Sequence, residues 1–103
     1  MSQNKYHCAS QQRILKTLMC LFGHEIDGLT PGQVARLANT TPANATRDLW
    51  NLQEAGLVER LPGGDAVRIS PQLGRKALAV LHTFDRAQRS LSDLTSRYIP
   101  TNH

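Results

Sequence analysis

Two cap-and-proline signals eleven residues apart, Thr30-Pro31 and Thr41-Pro42, constrain this 103-residue chain more than any other feature. A threonine that can accept from the backbone N–H groups of the next turn, with proline at the first helical position, marks a helix start. Gln33, three residues after Thr30, completes a capping box. The interval leaves room only for one short helix and a tight turn, which Asn39-Thr40 supplies. The helix that starts at Thr41 ends at Ala55-Gly56, where glycine accepts the left-handed conformation that closes a helix.

Apolar periodicity fills in the rest. A first helix is predicted from an N-cap at Ser10 through Phe22, stopping at Gly23. Ile14, Leu18 and Leu21 together with Leu15, Met19 and Phe22 give it a face wide enough to predict burial. Residues 24–29 read as a loop or short β-bridge anchored inward by Ile26 and Leu29, and Val34, Leu37 and Ala38 as the inner face of the short helix. In the helix behind Thr41, Ala45, Leu49 and Leu52 face the core. The opposite face then collects Ala43, Arg47, Trp50 and Glu54, with Asn44, Thr46 and Asn51 at its edges. Residues 57–61 and 66–70 are short strand candidates around the turn Pro62-Gly63-Gly64-Asp65, with Val67 and Ile69 inward and Ala66 and Arg68 outward.

Ser70 caps a last helix with Pro71 at its first position, and no strong breaker follows before Pro100. Leu73, Ala77, Val80, Phe84, Ala87, Leu91, Leu94 and Tyr98 alternate in steps of four and three along its whole length, the spacing of a coiled-coil seam. Leu78 and Leu81 widen the apolar face in the first half only, which suits packing on the chain's own domain. The expected fold is mainly α with a small β-hairpin wing, a winged helix-turn-helix followed by a long C-terminal dimerisation helix. Its expected parts are a flexible N-terminus at 1–9, the winged domain at 10–70, the seam helix at 71–98 and a tail at 99–103.

Composition excludes several function classes. No apolar run approaches the ~20 residues of a membrane span, and the first residues lack the apolar segment of a secretory signal, so a cytoplasmic protein is expected. Cys8 and Cys20 are too few for a disulfide framework, and Cys20 reads as a small core residue. His7, His24, His82 and His103 show no ligand spacing with the cysteines, so no metal or other cofactor is expected. No nucleophile is paired with a base and no glycine-rich phosphate loop follows a strand, so the chain is read as not an enzyme.

A net charge of +4 favours an anionic partner, but the charge is unevenly spread. Residues 1–40 carry +2 and residues 71–103 carry +3, whereas Arg47, Arg60 and Arg68 face Asp48, Glu54, Glu59 and Asp65 in residues 41–70, net −1.

Arg13-Ile14-Leu15, Leu29-Thr30-Pro31, Val34-Ala35-Arg36-Leu37-Ala38, Arg47-Asp48-Leu49 and the run from Leu52 to Arg60 resemble the N-terminal DNA-binding domain of IclR-type regulators. MarR-like winged helices are a looser likeness. Val67-Arg68-Ile69-Ser70-Pro71-Gln72-Leu73-Gly74 continues it into the wing strand and the following helix, so that it covers roughly residues 10–82. With the helix-turn-helix-wing order and the seam of the last helix, the resemblance leads to the expectation of a dimeric, sequence-specific regulator that binds double-stranded DNA.

Within it, Arg47 matches the arginine of the recognition helix, and Ala43 and Asn44 fall at its small and hydroxyl-bearing N-terminal positions. Thr41 and Gln33 sit at helix starts that hold phosphates, and Arg60 and Arg68 lie on the wing. Thr46 and Asn51 complete the expected DNA face, with Asn44 or Asn51 able to pair with adenine. Two departures stand out. The large effector domain of that family does not follow, and Asp48 and Trp50 replace an apolar and a smaller residue. An exposed Trp50 would suit the alternative, a winged-helix protein-interaction module that reads no DNA sequence.

Overall fold

The computed structural model describes residues 5–99, so positions 1–4 and 100–103 of the expected terminal segments lie outside the described residues. Six elements follow in order: α1 (Ala9–Cys20), α2 (Pro31–Leu37), α3 (Pro42–Glu54), β1 (Val58–Arg60), β2 (Val67–Ile69) and α4 (Pro71–Tyr98). They divide into two compact units, one ending at Leu73 and one starting at Gly74.

The first unit is a winged helix. Its core joins Leu21, Leu29, Val34, Ala35, Ala45, Leu49, Leu52, Val58, Val67 and Ile69, and the partly buried Ile14 and Leu18 of α1 pack against it. The capping box at α2 forms in full: the Thr30 hydroxyl accepts the Gln33 N–H at 3.2 Å, and the Gln33 side-chain oxygen accepts the Thr30 N–H at 2.9 Å. Asn39 takes a left-handed φ of 55° just past α2, and the Thr40 N–H returns to the Ala35 carbonyl at 2.9 Å. That bond closes the helix and sets the turn into α3. Thr41 caps α3 by accepting the Asn44 N–H at 3.1 Å. At its far end Gly56 (φ 78°) repeats the closure, with the Leu57 N–H on the Leu52 carbonyl at 3.0 Å.

The strands pair antiparallel with Val58 opposite Ile69, Glu59 opposite Arg68 and Arg60 opposite Val67. Leu29 bridges the free edge of β2 through two 2.9 Å bonds with Val67, which ties the α1–α2 loop to the wing. Ser70 locks the exit: its hydroxyl donates to the Gly56 carbonyl at 2.7 Å and accepts the Leu73 N–H at 3.2 Å.

Several sequence expectations need correction. α1 begins at Ala9 with Cys8 as N-cap, so Ser10 lies inside the first turn, and it ends at Cys20 rather than Phe22. Only one stripe of α1 is used, with Ile14, Thr17, Leu18 and Leu21 turned to the core, while Leu15 and Met19 are 55% and 67% exposed. Similarly Ala35 replaces Leu37 on the inner face of α2, and Ile26 is 83% exposed, leaving Leu29 as the anchor of its loop.

The second unit is the body of α4. The whole helix has 28 residues, about 42 Å at 1.5 Å per residue, and none of them is buried. Leu78 and Leu81, read from the sequence as an edge packed on the chain's own domain, are both exposed. Leu73, read as the first seam position, instead packs against the core of the first unit.

Candidate nucleic-acid interface

The outward face of α3 is built by default. Once Ala45, Leu49 and Leu52 are buried, the 3.6-residue repeat drives Ala43, Thr46, Arg47, Trp50, Asn51 and Glu54 outward. All six are exposed, and Trp50 is 59% so. Arg47 makes no ion pair or side-chain hydrogen bond among the described residues, so its guanidinium is available to a partner. Pro42, Ala43, Thr46, Arg47 and Trp50 line one shallow hollow on this face.

The two asparagines are less free. Asn44 is half-buried and commits one amide hydrogen to the Thr40 hydroxyl at 3.1 Å. Asn51 commits one to the Arg47 carbonyl at 2.9 Å. Thr41 and Gln33 spend their side chains on their own helix caps. On the wing, Arg60 is exposed and makes no ion pair among the described residues. Arg68 is engaged: its Nε donates to Glu59 at 2.8 Å, and Nη1 reaches the Glu25 carbonyl at 3.4 Å.

One contact was not legible in the sequence. Asp48, next to Arg47 in the chain, is only 3% exposed and accepts a two-pronged ion pair from Arg13. Nε meets one carboxylate oxygen at 2.7 Å and a terminal guanidine nitrogen meets the other at 2.9 Å. The carboxylate holds the Arg13 pKa above its ordinary value through this hydrogen bonding. The pair fastens α3 to α1 and neutralises one negative charge beside the outward face. It also brings Ser10 and Gln11 of α1 into a groove shared with Arg47 and Asn51.

Comparison with known proteins agrees with this geometry. The profile of the helix-turn-helix domain matches residues 9–60, from the start of α1 through β1. The chain belongs to the helix-turn-helix domain family. No curated protein matches it.

Among solved structures, this helix-turn-helix chain is similar to a putative IclR transcriptional regulator from a Silicibacter species. The two share 29% identity and a TM-score of 0.59, over 84% of this chain and 35% of that one. A variant of the Staphylococcus aureus regulator MepR bound to an oligodeoxyribonucleotide matches with 22% identity and a TM-score of 0.55, over 79% and 62%. The Zα domain of a cyprinid herpesvirus 3 protein, described in its binding mode to Z-DNA, matches with 20% identity and a TM-score of 0.52, over 57% and 93%. The chain thus spans about a third of the IclR regulator and about three fifths of the MepR chain. Likenesses at these lower identities concern the fold alone.

Among the described residues no group of His, Cys, Asp and Glu could hold a metal ion, and no helix is long and apolar enough to cross a membrane.

Proposed function

We propose that the chain is a sequence-specific, double-stranded DNA-binding transcription regulator that acts as a homodimer in the cytoplasm. α3 enters the major groove and the β1–β2 hairpin serves as wing. The observation that carries this reading is Arg47, exposed and unpaired among the described residues, on the outward face of α3 in a helix-turn-helix domain. An arginine there can fork onto guanine O6 and N7. Arg60 is the wing's available cation, and Arg68 contributes to the wing by holding Glu59 rather than by reaching DNA.

The dimer part rests on α4. Ala77, Val80, Phe84, Ala87, Leu91, Leu94 and Tyr98 keep heptad spacing and are all exposed, a stripe that a second copy would cover. A two-fold pair of heads reads a pseudo-palindrome with half-sites one or two helical turns apart.

Enrichment from a random duplex library at physiological salt tests the reading. Arg47→Ala should then cost about 1–3 kcal/mol on the enriched duplex and relax one base preference. Equal binding by both proteins would remove Arg47 from the site. Sedimentation of wild type and Leu91→Glu tests the seam; a wild-type monomer at micromolar concentration would remove it. The exposed Trp50 favours a second reading, a protein-interaction module, which gains if no duplex is enriched.

A further inference from the structure

We propose that Trp50 determines specificity by receiving the 5-methyl group of a thymine beside the guanine that Arg47 reads. The inference rests on α3 being the major-groove helix. The hollow on α3 is lined by Pro42, Ala43, Thr46, Arg47 and Trp50, residues that offer it a ring, methyl groups and an indole beside one guanidinium. In the major groove the thymine methyl is the one apolar feature among the base edges of unmodified DNA. A phosphate would need cations, and among the described residues Arg47 is the only one lining the hollow.

The spacing agrees. Ala43, Arg47 and Trp50 lie at i, i+4 and i+7, one stripe about 10 Å long at 1.5 Å per residue. That spans roughly three base-pair steps of about 3.4 Å. Arg47 and Trp50 are about 4.5 Å apart along the axis, little more than one step. Guanine under Arg47 therefore sets its neighbour under Trp50. The asparagines leave this role open, because Asn44 and Asn51 each already commit an amide hydrogen within the chain.

The test begins with the duplex enriched by the 103-residue chain. Each thymine is replaced in turn by deoxyuridine, which removes the methyl and leaves the pairing unchanged. One position per half-site, adjoining a guanine, should weaken binding about threefold to fourfold, the value of one buried methyl. Trp50→Ala should weaken the parent duplex severalfold and erase the deoxyuridine effect, a coupling that a double-mutant cycle reads directly. Trp50 is exposed, so the variant should melt with the wild type.

Uniform insensitivity to deoxyuridine, or an effect that survives in Trp50→Ala, would overturn the inference while leaving DNA reading intact. A Trp50→Ala loss equal across all duplexes would reassign the indole to the backbone. A pool with no enriched sequence would overturn the DNA reading and this inference together.

Discussion

Removing Arg13 and removing the whole Arg13–Asp48 pair should have opposite consequences. In Arg13→Met the Asp48 carboxylate, 4% exposed in its side chain, loses both of its side-chain donors. Stranding a buried carboxylate costs about 3–5 kcal/mol when the pair is fully enclosed. Arg13 is 24% exposed, so water can enter where it stood, and about 2–4 kcal/mol is the expected cost at Asp48. For a domain of this size that lowers Tm by roughly 10–20 °C.

Arg13→Met/Asp48→Leu exchanges the pair for apolar side chains of similar total volume. It should melt near or above wild type. Trp50, the single tryptophan, lies on the same helix as Asp48, so its emission reports this unit alongside far-ultraviolet circular dichroism. Equal destabilisation of the single and double variants would refute the reasoning, because stranded charge would then not be the source of the cost.

Three further outcomes follow from local geometry. Thr17 is completely buried and its hydroxyl has no hydrogen-bond partner among the described residues, so Thr17→Val should stabilise by about 1 kcal/mol in urea unfolding. Gly28 holds φ +69°, and a Cβ there would lie 2.7 Å from the Val67 carbonyl oxygen; Gly28→Ala should cost about 2 kcal/mol or more and loosen the bridge between the α1–α2 loop and the wing, read by amide exchange at Leu29. The Cys8 thiol has its pKa lowered, chiefly by the Ser10 hydroxyl, whereas burial raises that of Cys20. With more thiolate at a given pH, Cys8 should alkylate first between pH 7 and 8, as peptide mapping would show.

What the sequence disclosed was local. Thr30, Gln33, Thr41, Gly56 and the Pro62–Asp65 turn act within a few residues of themselves, and each behaves as its type dictates. The inner face of α3 was legible too, because Ala45, Leu49 and Leu52 repeat cleanly against polar neighbours. How much of an apolar face is covered depends on the partner wall, which periodicity does not report. Hence Leu15, Met19, Ile26 and Leu37 were expected inside and are exposed. The Arg13–Asp48 pair joins residues 35 apart, and neither one differs in type from a solvated surface charge.

The same pairings change how the charge of residues 41–70 bears on the proposed function. Formally, residues 41–70 are net negative, but Asp48 is cancelled by Arg13 and Glu59 by Arg68. What remains without an ion pair among the described residues is Arg47 and Arg60 against Glu54 and Asp65, a neutral balance. The cations sit at α3 and the wing, while Glu54 closes α3 at its far end and Asp65 occupies the hairpin turn. Such a surface orients on DNA more than it attracts DNA, since affinity from counterion release scales with the phosphates neutralised. One head would engage only a few. Specific binding at physiological salt then needs either more cations or a second head, and exposed α4 supplies the means for both: Arg75, Lys76, Arg86 and Arg97 among its charges, and an uncovered heptad stripe for a second copy. The weak electrostatics of residues 41–70 are thus themselves an argument for the proposed dimer.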